Sequence, residues 1–132
     1  MNEQQFIKQF EELTLPPEQF NHRGHLWLAW IYLKNFDFKT ACQKINEGIK
    51  SYAESLGANQ KYHFTLTTVF IYMVRSRFNG GQDFEAFLKH NNDLLINSKK
   101  LIDAHYSNEL INSEAARKGF VGPDKLPFPI YN

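Results

Sequence analysis

The chain has 132 residues, 42% of them hydrophobic and 15% aromatic, with twelve phenylalanines, which is ample apolar surface for one well-filled core and argues against a disordered chain. Fifteen Lys and Arg against fourteen Asp and Glu give a formal net charge of +1 with no block of like charge, so the long-range field that draws a protein onto nucleic acid is missing. No apolar run approaches the roughly 20 residues of a membrane span, and the opening MNEQQFIKQFEEL lacks the basic start and apolar stretch of a secretory signal; a cytoplasmic location is the expectation.

Apolar residues repeat at three and four positions through most of the chain, which predicts an all-α fold: one domain, a bundle of about five to seven helices. Phe6, Phe10 and Leu13 line one face of a first helix over about Glu3 to Leu13, and Pro16 and Pro17 end it, making 1–19 a helix plus linker. Asn21 is placed to cap a second, largely buried helix through HRGHLWLAWIYLKN. Asp37 caps a third with the stripe Ala41, Ile45, Ile49, Tyr52 and Leu56, stopped by Gly57. Asn59 is read as the cap of a fourth helix that continues through KYHFTLTTVFIYMVRSRF to the turn at 79–81. Shorter helices follow at about Asp83 to Lys89, around KKLIDAHY with Ser98 as its cap, and at Ser113 to Lys118. The histidine-bearing bundle thus spans 20–118, and 119–132 form an extended tail, stiffened by Pro123, Pro127 and Pro129, that covers an apolar groove or engages a partner.

Short connections make successive helices antiparallel, so the second and fourth start at the same end. Counted from Asn21 and Asn59, His25 and His63 each fall at the fourth helical position, and His22 shares the face of His25. If the chain from Asp83 runs back down the bundle, His105 joins them. Cys42 is the only cysteine, so a metal would need nitrogen and oxygen ligands. His22, His25, His63 and His105 are the candidate ligands for a divalent transition metal such as zinc, iron or nickel, since three imidazoles leave one position open for water or substrate.

Asp103, Glu109 and Tyr106 flank His105 as candidate catalytic acid or base groups, with Glu54 if the end of the third helix folds over the site. Arg23, Lys61 and Ser107 are candidates to bind a small polar, anionic substrate. The competing reading keeps the histidines as satisfied core or capping groups in a non-catalytic module that binds a small ligand or another protein, a second copy of the chain included. Trp27, Trp30 and Tyr32 then pack the core or line a pocket, Cys42 is a small core residue, and His90 is a solvated cap.

The segments FNHRGHLWLAWIYL, KYHFTLT and AHYSNELINSEAARKGFVGPDKLPFP resemble those of a family of small uncharacterised all-helical bacterial proteins, over about Phe20 to Pro129. The resemblance implies that His22, His25, His63 and His105 match the family's histidine positions, and it transfers no activity. There is one departure. The family often carries a carboxylate directly after the middle histidine, where this chain has Phe64.

Overall fold

The computed structural model describes residues 1–128. The described residues contain nine α-helices and no strand, so the fold is all-helical as the periodicity requires. The chain divides into two compact units, Met1–Tyr62 and His63–Asn132.

In the first unit α1 (Glu3–Glu11) opens on Asn2, whose side chain accepts from the Gln5 amide while Gln5 bonds back to the Asn2 amide, satisfying two donors that a helix start leaves open. It closes at Leu13, where the Thr14 amide donates to Gln9 and the Leu13 amide to Phe10. This is the paired closure that normally has glycine at its left-handed position, and here Leu13 takes it at φ 62°. A 3-10 turn, Pro17–Gln19, leads to α2 (His22–Asn35), capped by Asn21 through the Gly24 amide, and α3 (Phe38–Ser55) is capped by Asp37 through the Thr40 amide. Both caps fall where the sequence puts them.

Phe6 and Phe10 are buried from α1, each burial contributing about 1.5–3 kcal/mol. Phe6 meets Trp27 of α2 at 4.5 Å between ring centres, and Phe10 meets Phe20 and Tyr52 at 5.4 and 6.0 Å. The Tyr52 hydroxyl donates to the Leu15 carbonyl at 2.6 Å, fixing the segment after α1 to α3. Gly48 lets α1 come close, because a Cβ there would stand 2.6 Å from the Phe10 ring. The unit ends in a second 3-10 turn, Asn59–Lys61, and in Tyr62, whose hydroxyl donates to the buried Asn46 side chain.

The second unit is built on α4 (Phe64–Arg77), followed by α5 (Phe84–His90), α6 (Asp93–Ile96), α7 (Ser98–His105), α8 (Asn108–Ile111) and α9 (Glu114–Lys118). Its helix count exceeds expectation because the stretch after His90 is punctuated by caps: Ser107 and Ser113 each accept from an amide three residues on, ending one short helix and starting the next. Ser98 is the first residue of α7, and Asn97 precedes it without a side-chain cap. Val69, Ile71, Met73 and Val74 of α4 are buried, and α4 packs on α9. Thr65, fully buried, donates to the Gly119 carbonyl and accepts from the Val121 amide. From there residues 121–128 bond to the C-terminal end of α7 and the residues that follow it, from Asp103 to Ser107. Pro129, part of the tail expected from sequence, lies outside the described residues.

Candidate functional site

The fourth helix begins at Phe64, and its cap is His63 in place of Asn59. Residues 59–61 spend their backbone on the 3-10 turn, Tyr62 is extended, and the chain enters the helix only at His63, with φ −140° and ψ 112°. His63 Nδ1 accepts from the Leu66 amide at 3.1 Å, and Nε2 donates to the Ile111 carbonyl of α8 at 2.7 Å. The residue is 7% exposed. A carbonyl oxygen only accepts, so the proton sits on Nε2 and the lone pair on Nδ1 is taken by the helix. Both nitrogens therefore serve the fold, and a metal at this ring would have to displace one of these two bonds.

His22 and His25 stand in the first turn of α2, where His25 is the fourth helical residue. The His25 ring lies flat on Phe20 at 3.9 Å, and its Nδ1–H donates to the Asn21 carbonyl at 2.9 Å. One edge reaches solvent, yet the protein packed around the ring lowers its pKa below the ordinary 6.5, against the hydrogen bond to Asn21 and together with the charge of nearby His22.

His105 closes α7. Its Nδ1–H donates to the Leu126 carbonyl at 2.7 Å, and Phe128 stacks on the ring at 4.2 Å. In both His25 and His105 the carbonyl contact leaves Nε2 as the lone-pair nitrogen, the arrangement that orients a histidine ligand. Among the described residues, no group of three or more His, Cys, Asp and Glu side chains gathers in a geometry that would hold a metal ion.

Of the groups expected to support chemistry near His105, Tyr106 and Ser107 are engaged with residues 121–128. The buried Tyr106 hydroxyl donates to the Val121 carbonyl at 2.6 Å, and burial, with the charge of Asp124, pushes its pKa up to about 12. Ser107 donates through its amide and its hydroxyl to Asp124, at 2.8 and 2.5 Å, so the chain's own carboxylate occupies this anion site. Asp103 pairs with Lys99, and Lys125 caps its carbonyl. Glu109 is exposed in the first turn of α8, Lys61 is exposed at the end of the second 3-10 turn, Arg23 is half-buried in α2, and Glu54 is exposed on α3. Phe64 is half-buried at the start of α4.

A feature that the sequence reading missed lies in the first unit. An open groove of about 1230 Å³ runs between α1, the C-terminal end of α2, and α3. Its apolar lining is Ile7, Phe10, Leu13, Ile31, Tyr32 and Phe36; Leu13 and Phe36 remain 42% and 41% exposed. The Tyr32 and Phe36 rings stack at 5.8 Å, and the Lys44 ammonium lies 5.0 Å above Phe36. Glu11 receives the Tyr32 hydroxyl at 3.4 Å, and Glu47 receives the Gln43 amide at 3.3 Å. Burial, with Glu11, pushes the Tyr32 pKa up to about 12. The sequence signal was Gly48: a glycine inside a helix costs about 1 kcal/mol against alanine, so its presence asks for a close neighbour, here α1.

Compared with protein-family models, curated proteins and solved structures, the chain matches none.

Proposed function

We propose that the protein is a non-catalytic binding module for a small ligand, with the groove of the first unit as its site and His63 serving the fold. The observation that carries this reading is the pair of apolar side chains held open in the groove. Phe36 and Leu13 stay exposed, and Leu13 does so from a left-handed backbone that costs a non-glycine residue about 1–2 kcal/mol. Concave, largely apolar sites with a few polar groups at the rim are where small molecules bind. Ligand-observed NMR of the full chain against a library of small amphipathic compounds tests it. Binders are expected to raise the melting temperature and to shift the resonances of Leu13 and Phe36; a screen without binders, or with binders that leave both residues unmoved, rejects the reading.

The tautomer of His25 favours a second reading, in which His25 contributes Nε2, with His22 beside it on α2, to binding a zinc, iron or nickel ion. Elemental analysis of protein prepared without an affinity tag decides it. Stoichiometric metal that is lost in His25→Ala supports it, and metal-free protein that takes up none on dialysis against these ions excludes it.

A further inference from the structure

The chemistry around the groove narrows the class of ligand. Four glutamates and three lysines line it. Glu3 and Lys34 pair at 2.7 Å, which leaves Glu11, Glu12 and Glu47 against Lys8 and Lys44. Glu11 and Glu47 receive their hydrogen bonds from neutral donors, Tyr32 and Gln43, so their charges are not cancelled by these partners. The Phe36 ring lines the same groove as these carboxylates; it stacks on Tyr32, the residue whose hydroxyl bonds to Glu11, and lies under the Lys44 ammonium.

An aromatic face attracts a cation through its quadrupole, and carboxylates at the same rim add a charge that neutral partners leave available. The molecule already uses Phe36 in this way with its own lysine. Lys44 is exposed, so a ligand ammonium takes its place in an exchange of like for like. From this arrangement, and resting on the reading of the groove as a ligand site, we infer that the groove binds an organic cation: an ammonium group over Phe36 near Glu11 and Glu47, and an apolar body laid along Ile7 and Leu13.

The probes are 2-phenylethylammonium and phenylacetate, which share an aromatic body and differ in the sign of the charged end. Isothermal titration of the full chain at neutral pH, near 50 mM salt, reads both; exposed charges are still felt at roughly that ionic strength. The cation is expected to bind more tightly than the anion. Phe36→Ala and the pair Glu11→Gln, Glu47→Gln are each expected to weaken it about fivefold, and Lys44→Met to tighten it by a similar factor, in line with a cation over an exposed ring. The glutamate pair is exposed, so it keeps the test valid should Phe36→Ala disturb the end of α2. Binding of phenylacetate as tight as or tighter than that of the cation, or cation binding indifferent to all of these variants, overturns the assignment of a cation while leaving a ligand groove standing. Failure of both probes in the titration, together with a library screen that yields no binder, overturns the ligand reading as well.

Discussion

His63 shows how one side chain decides between functional and structural use. Its two nitrogens face opposite tasks, one ending the helix amide row at Leu66 and one holding the Ile111 carbonyl of α8. Replacing it by alanine removes a helix cap, at about 1 kcal/mol, and leaves a buried carbonyl unsatisfied, at about 1–3 kcal/mol. A loss of about 2–4 kcal/mol is therefore expected for His63→Ala in urea unfolding. His63→Asn should recover part of it, because asparagine is a strong cap but does not reach α8 as an imidazole does. A variant as stable as the parent would show that neither bond matters. The sequence pointed to His63 as special but not to the reason, since an asparagine four residues earlier offered a more familiar cap.

Among the elements, α1 controls the groove, and two positions outside it with opposite demands, Leu13 just after its end and Gly48 on α3, set where it lies. Leu13 keeps a left-handed backbone that glycine adopts without cost. Leu13→Gly is expected to leave stability unchanged or raise it by up to about 1 kcal/mol, since relief of the αL cost outweighs the extra freedom glycine gives the unfolded chain. The same change should weaken binding in the groove. Gly48 has the reverse character: its place is filled by the Phe10 ring, and a methyl at 2.6 Å must displace that buried ring or push α1 away. Gly48→Ala should cost about 1–3 kcal/mol despite alanine's better helix propensity. Chemical denaturation of both variants checks the pair, and an alanine at 48 that stabilises the protein would mean that α1 does not sit against α3 as described.

At the scale of the whole chain, the helical class and the starts of α2 and α3 could be read directly, because Asn21 and Asp37 are capping residues immediately before periodic apolar runs. The groove could not. It depends on how closely α1 approaches α3, and only Gly48 hinted at that distance. The expected grouping of histidines rested on counting positions from Asn59; with the helix starting at Phe64, His63 lies before the first turn instead of within it. After His90, α7 and α9 lie where their apolar spacing and the Ser113 cap put them, whereas the four-residue α6 and α8 were hidden, being too short to show a helical period of their own.

The titrating groups of both units combine into one stability profile. On the acid side, burial holds the His25 pKa below 6.5, so the unfolded chain binds this proton first. Its contribution is complete above pH 6.5 and is lost as pH falls through the lowered folded value. Asp37, bonded to Thr40, Asp93, bonded to Arg77, and Asp124, bonded to Ser107, sit below 3.8, and their contributions persist until pH drops under that value. On the alkaline side the sign is reversed for acids whose pKa is raised. Burial pushes Cys42 from 9.0 to about 12, and burial likewise takes Tyr32, Tyr62 and Tyr106 from 10.0 to about 12. Their contributions are complete below the unfolded values and disappear as pH rises toward the folded ones. These shifts together predict a plateau of stability between pH 6.5 and 9.0, a first decline below it from His25 and a second from the carboxylates. Urea midpoints measured across this range test the shape, and His25→Gln isolates the first step. The variant should hold its stability from neutral pH down to about pH 5, where the parent has begun to lose its own; a parallel decline in both would remove His25 as its cause.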